Sequence, residues 1–174
     1  MKIYLRNITI DDQKLIVKWR NSPSVLRHCA HKNMVTLESS ISFFNEYVLT
    51  EKYKQYIVER VDDDYGAISY PISTVYLKDI DKENSVCELC IFTSDNEEWN
   101  TSSQLQAIRI LIQKAFEEFK MRKVFTRVIA NHNDEIELFL KSGFKKEALL
   151  EKEILSLDGT YVDLLRMCIF KANK

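Results

Sequence analysis

VCELCIF (residues 86–92), TSDNEEWNTSSQ (93–104), LQAIRILIQKAFEEF (105–119) and KVFTRVIA (123–130) form the stretch on which the reading of this chain turns. The first segment is rich in β-branched and aromatic residues and reads as a strand. In the third, Leu105, Ile108, Leu111, Ile112, Ala115, Phe116 and Phe119 recur at the spacing of one buried helical face. Asn100, Thr101, Ser102 and Ser103 precede it, and each residue type can cap a helix. The fourth segment reads as a second strand. A strand that feeds a polar loop into a helix N-terminus presents uncapped amides and the positive end of a dipole, which suits a phosphate. The same spacing also describes an ordinary β-α-β unit.

The chain's 174 residues fit one domain, residues 1–174, with room for a substantial core. A net charge of −1 recommends no nucleic-acid partner. The opening MKIYLRNITIDD holds no apolar run of signal-peptide length, and no segment reaches the roughly 18 apolar residues of a membrane helix. The expected location is therefore cytoplasmic. Cys87 and Cys90 form a C-x-x-C, but residues three apart on a strand face opposite sides, and no second pair completes a metal site. Only three glycines occur, against an average usage of about 7%, so loops that usually need glycine must be built otherwise.

Outward from that stretch, residues 2–8 read as a strand and 11–20 as a short helix. Residues 21–36 read as a polar loop with His28, His31 and Lys32. Thr36 and Glu38 open a second helix. Strands follow at 55–61 and up to Leu77, with Pro71 predicting a bulge or an edge, and residues 79–84 form a turn. A helix over 135–142 stops at Gly143, and Asp158-Gly159 joins a terminal hairpin. The fold class is α/β (α+β): one domain, order β-α-α-β-β-β-α-β-α-β-β, a mixed, mostly antiparallel seven-stranded sheet with about four helices.

This order resembles the GNAT superfamily of N-acyltransferases, in particular its RimJ/RimL-like branch. The likeness rests on PISTVYLKDIDKENSVCELCIF (71–92), on the segment from Trp99 to Asn133 and on ELFLKSGFKKEALL (137–150). WRNSPSV (19–25) is similar to members that acetylate nucleotide-linked amino-sugars. The resemblance implies acetyl-CoA, its pyrophosphate held by a Q/R-x-x-G-x-G/A loop. With Trp99 and Ala107 aligned to that pattern, Asn100, Ser102 and Gln104 replace its glycines, and Phe139 stands at a frequent tyrosine acid.

The cofactor-binding expectation is Ile91, Phe92, Asn100, Thr101, Ser102, Ser103, Gln104, Asn131 and Phe139, with Gln104 crowding the phosphate. Glu88, a carboxylate in an apolar strand, is either the base or the partner of a core Arg or Lys. Asn131 holds the pantetheine arm or orients the thiol, or else caps the next helix. Arg20, Asn21, His28 and Tyr70 are the acceptor-side candidates, and Tyr70 or Tyr161 the alternatives for the acid. No residues are assigned to metal. The expected activity is direct acetyl transfer from acetyl-CoA to a primary amine: a small-molecule amine, an amino-sugar or a protein N-terminus. The alternative is a catalytically degenerate binding module. Partners beyond the acceptor are neither nucleic acid nor membrane, and the expected state is a monomer or homodimer.

Overall fold

The structure is a computed structural model that describes residues 2–28, 33–62, 68–92, 94–156 and 158–172. Its strands are β1 (Lys2–Asn7), β2 (Lys54–Asp62), β3 (Ile68–Asp81), β4 (Val86–Ile91), β5 (Lys123–Ile129), β6 (Lys145–Leu155) and β7 (Tyr161–Phe170). They form one seven-stranded sheet in the order β1-β2-β3-β4-β5-β7-β6. Every neighbouring pair is antiparallel except β4 and β5, which run parallel. The sheet is thus two antiparallel ribbons joined along one parallel seam. The irregularity expected at Pro71 is a bulge. Pairing passes from Val58–Ser73 to Glu59–Pro71 and leaves Ile72 unopposed, next to Pro71, which has no N–H to give.

Five α-helices occur among the described residues: α1 (Gln13–Arg20), α2 (Pro23–His28), α3 (Leu37–Phe43), α4 (Thr101–Glu117) and α5 (Asn133–Lys141). Four were expected. The extra one, α2, lies in the segment read as a polar loop; Pro23 is tolerated at its first position, where no N–H is needed. A 3₁₀ turn, Ile10–Asp12, precedes α1, where the Thr9 N–H and hydroxyl both donate to Asp12. Thr36 caps α3 reciprocally with Ser39, with Glu38 in the first turn, and a π-helical turn, Phe44–Val48, prolongs it. Among the described residues no helix is long and apolar enough to cross a membrane.

The larger core lies between α4 and one sheet face. Ala107, Ile108, Leu111 and Ala115 pack there with Val75, Leu77, Leu89, Val124, Val128 and Met167. On the other face a smaller cluster, Ile8, Ile16, Trp19, Phe44 and Ile57, seats α1 and the end of α3. Strand alternation then assigns the faces of β4. Cys87 and Leu89 point to α4, so Glu88 and Cys90 point to the opposite, front face.

Gly143 follows α5 at φ +95, and the N–H of Phe144 bonds back to the Phe139 carbonyl. A Cβ at Gly143 would lie 3.3 Å from Ile169 Cδ1, whereas one at Gly159 (φ +84) would meet nothing within 4 Å. Gly143→Ala is therefore expected to cost about 1–2 kcal/mol in urea unfolding, and Gly159→Ala less. Equal losses would show that the contact with Ile169 contributes nothing.

Candidate active site

The parallel seam is short. Only Val86–Lys123, Cys87–Val124 and Glu88–Phe125 are paired, although β4 continues to Ile91 and β5 to Ile129. Beyond Glu88 the strands part. The Phe92 N–H donates to the Thr74 carbonyl on β3, so alternation turns the Ile91 N–H to the other edge, into the gap. The result is a strand edge inside the molecule with unmatched donors and acceptors. Such an edge is suited to an extended amide chain lying along it.

At the foot of the gap Glu88 is 3% exposed. Arg127 on β5 donates to it through Nε (3.1 Å) and Nη2 (2.5 Å), and Lys78 on β3 lies 3.4 Å away. Arg127 also reaches Asp79 at 3.3 Å. The carboxylate expected as base or ion-pair partner thus has two cationic neighbours, and Arg127 bridges the two strands just past their last paired residues. A strand-bound carboxylate demanded a partner, but Lys78 lies opposite on β3 and Arg127 is two positions beyond the end of the seam. Neither pairing is visible without the register.

The loop ahead of α4 is knit by side chains. The Trp99 indole donates to the Phe92 carbonyl at 2.6 Å, and the Glu98 N–H donates to Asn96 Oδ1 at 2.9 Å. Asn100 Oδ1 accepts from the amides of Ser102 (3.0 Å) and Ser103 (3.3 Å). The Ser103 hydroxyl donates to the Glu98 carbonyl. Gln104, expected to crowd a phosphate, folds back instead, its Nε2 donating to the Trp99 carbonyl at 2.9 Å. Asn100 is extended (φ −88), and no described residue of this loop has positive φ. Where glycine would have supplied backbone freedom, hydrogen bonds from Asn, Ser and Gln hold an ordinary conformation. Thr101 and Ser102 add hydroxyls at the helix start, and no acidic residue lies in its first turn. A pyrophosphate fits there, its oxygens able to take the place of Asn100 Oδ1 on the same amides.

The other expected residues are spread more widely. Phe139 is a core residue, 1% exposed and edge-on to Phe144, so its ring offers no surface to a bound thiol. Both backbone polar groups of Phe92 are engaged, which leaves its half-buried ring for contact. Asn131 is exposed in the turn after β5, while His132 takes the cap position of α5. The Tyr70 hydroxyl donates to Glu98 at 2.6 Å, and Arg60 pairs with the same carboxylate, which ties Tyr70 to the loop before α4. Tyr161, the other alternative for the acid, is 63% exposed in the terminal hairpin. Arg20 ends α1. Asn21 staples the segment after it, bonding both the N–H and the carbonyl of Val35 at 2.8 Å. His28 ends α2, and its side chain, with His31 and Lys32, lies outside the described residues. Cys87 sits in the core, where burial pushes its thiol up to about 12. Cys90 faces the opposite way, beside Glu88 and Tyr76, and burial raises its thiol as well.

A model of the acetyltransferase (GNAT) domain matches residues 2–145, and the chain belongs to this family. It is accordingly an N-acetyltransferase with acetyl-CoA as co-substrate. No curated protein matches the sequence significantly. Among solved structures, spermidine N-acetyltransferase from Vibrio cholerae in complex with CoA and spermine superposes with a TM-score of 0.86 at 19% identity, over 97% of this chain and 95% of that one. A dodecameric structure of the Vibrio cholerae enzyme in an intermediate state gives 0.76 at 18% identity, over 97% and 93%. At such identities the likeness is one of fold.

Removing one partner from the seam leaves a buried carboxylate short of its strongest donor. Arg127→Ala is therefore expected to lose about 2 kcal/mol in denaturant unfolding, below the full cost of a broken buried pair because Arg127 itself is partly exposed. Adding Glu88→Gln should cost little more. Additive losses would show the pair to be uncoupled.

Proposed function

We propose that the protein acetylates a primary amine by direct attack on the thioester of acetyl-CoA, without an acyl-enzyme. The observation carrying this reading is the gap past Glu88, with the Ile91 amide turned into it and the start of α4 just beyond. Acetyl-CoA supplies the acyl group and a thiolate leaving group. The amides and hydroxyls of residues 101–104 take the pyrophosphate, with Asn100 and Gln104 holding the loop in shape. The exposed Asn131 carboxamide holds the pantetheine arm, and the Ile91 N–H donates to the thioester carbonyl oxygen. In the transfer a C–N bond forms, the C–S bond breaks, and the nitrogen gives two protons to solvent, one from the ammonium before attack and one after it, of which the thiolate takes one back.

Glu88 acts here as the anchor of the seam rather than as base. An ammonium approaching its carboxylate would meet Arg127 and Lys78 at once. The leaving thiolate takes its proton from solvent: Phe139 is buried, Tyr70 is engaged by Glu98, and a thiol of pKa about 8.5 leaves tolerably unaided. We place the chain in the RimJ/RimL-like branch as one cytoplasmic catalytic domain, monomeric or homodimeric. Its acceptor is drawn from small amines, amino-sugars and protein N-termini. The degenerate-module alternative draws its support from the cap that Asn100 already makes on the Ser102 and Ser103 amides.

Calorimetry with acetyl-CoA and CoA separates the two. Micromolar to submillimolar binding is expected, and Gln104→Ala, which unpins the loop, should weaken it several-fold, at about 1 kcal/mol for one hydrogen bond. Undetectable binding at millimolar acetyl-CoA would leave the module reading in place.

Once an acceptor is in hand, Glu88→Gln should keep kcat within about tenfold of the parent. Activity should climb with pH along the acceptor's own ionisation, near 10 for an alkylamine. A fall of about 10²–10⁴-fold, the usual contribution of a positioned base, would restore Glu88 to that role.

A further inference from the structure

Five aromatic rings run in unbroken contact along the front face. Phe43 stacks on Tyr47 with centroids 4.8 Å apart, Tyr47 meets Tyr53 edge-on at 5.6 Å, Tyr53 lies 5.7 Å from Tyr76, and Tyr76 meets Phe92 at 5.8 Å. None is buried: Phe43 is exposed, and the other four are half-exposed. The row starts at the end of α3, crosses the head of β2 and the middle of β3, and finishes just past β4. Tyr76 stands opposite Cys90 on the β3 side of β4, and the row reaches the gap through its last ring, Phe92, which follows Ile91.

The charges along this row are as telling as the rings. Beside Tyr76 lie Lys78, Arg127, Glu88 and Asp79, two cations and two anions that bond one another and leave no surplus negative charge. At the far end the Lys52 ammonium already sits over the Tyr47 ring, 5.0 Å from its centroid. A second ammonium carried along this row would meet Lys78 midway and Lys52 at the end. A flat apolar body meets only ring faces and edges.

We infer that the aromatic row is the acceptor surface of an arylalkylamine, one primary amine on a short arm with an aromatic body lying against Tyr76 and Tyr53, and that it discriminates against polyamines. The inference rests on the acetyltransferase reading and refines its acceptor. The amine points up to the gap, and the ring extends the aromatic row. Each ring contact of this kind is worth about 0.5–1.5 kcal/mol, a factor of about 2–12 in kcat/KM.

The test compares 2-phenylethylamine with spermidine in steady-state acetylation, after acetyl-CoA binding has been measured by calorimetry. The expected result is a kcat/KM at least about tenfold higher for 2-phenylethylamine. Tyr76→Leu, which keeps apolar bulk and removes the ring, should lower that value about 3–10-fold, mainly through KM, with acetyl-CoA affinity unchanged. Lys52→Glu should raise spermidine relative to 2-phenylethylamine. Preference for spermidine in the parent, or equal losses on both amines in Tyr76→Leu, overturns the inference while acetyl-CoA turnover keeps the acetyltransferase reading. Absence of acetyl-CoA binding overturns both.

Discussion

Where β4 and β5 stop sharing backbone hydrogen bonds, a guanidinium takes over. Arg127 reaches from β5 to Glu88 on β4, with Lys78 behind, and these side chains hold two strands that diverge from that point on. A parallel pair that continued would leave no room between the strands; one that ended without a tie would leave their angle to loop tension. The site depends on both conditions being met. The Ile91 amide faces open space because the ladder has ended, and it faces a fixed space because the ion pair limits how far the strands can part.

A second constraint is the scarcity of glycine. A phosphate-binding turn is commonly made from residues able to adopt positive φ, whereas the described residues between β4 and α4 avoid that region altogether. Side-chain hydrogen bonds replace backbone freedom: Asn100 accepts from two helix-start amides, and Gln104, Trp99 and Ser103 each donate to a carbonyl. Such a loop is held in shape without a ligand. Residues that look like lesions in a glycine motif are the supports of this loop.

Local signals in the sequence were read correctly where the physics is local. Gly143 ends α5 and Asp158-Gly159 turns the hairpin because φ preference acts within a residue or two. The apolar period of α4 faces the sheet, and Pro71 makes its bulge. The helix α2 was missed because six residues carry too little periodicity to outweigh the break that Pro23 suggests. Phe139 was expected beside the cofactor because its position in a motif says nothing of which helix face turns inward. Arg127, Lys78, Tyr53 and Tyr76 were not singled out at all, since strand register alone brings them to the front face. Gln104 was read as an obstruction because the direction of a long polar side chain is set by the carbonyl it finds, here that of Trp99.

The two-ribbon sheet also has a temporal meaning. Strands β1 to β4 pair in sequence order through consecutive antiparallel contacts, and β6 pairs with β7 through a tight turn. The seam between β4 and β5 instead waits for a crossover through α4 and gains few backbone bonds when it closes. Loop-closure entropy favours early formation of the β2-β3-β4 meander and the β6-β7 hairpin, and later formation of the seam. The gap beside the seam, proposed to take the thioester, is then bounded by one of the late joins the chain makes as it folds.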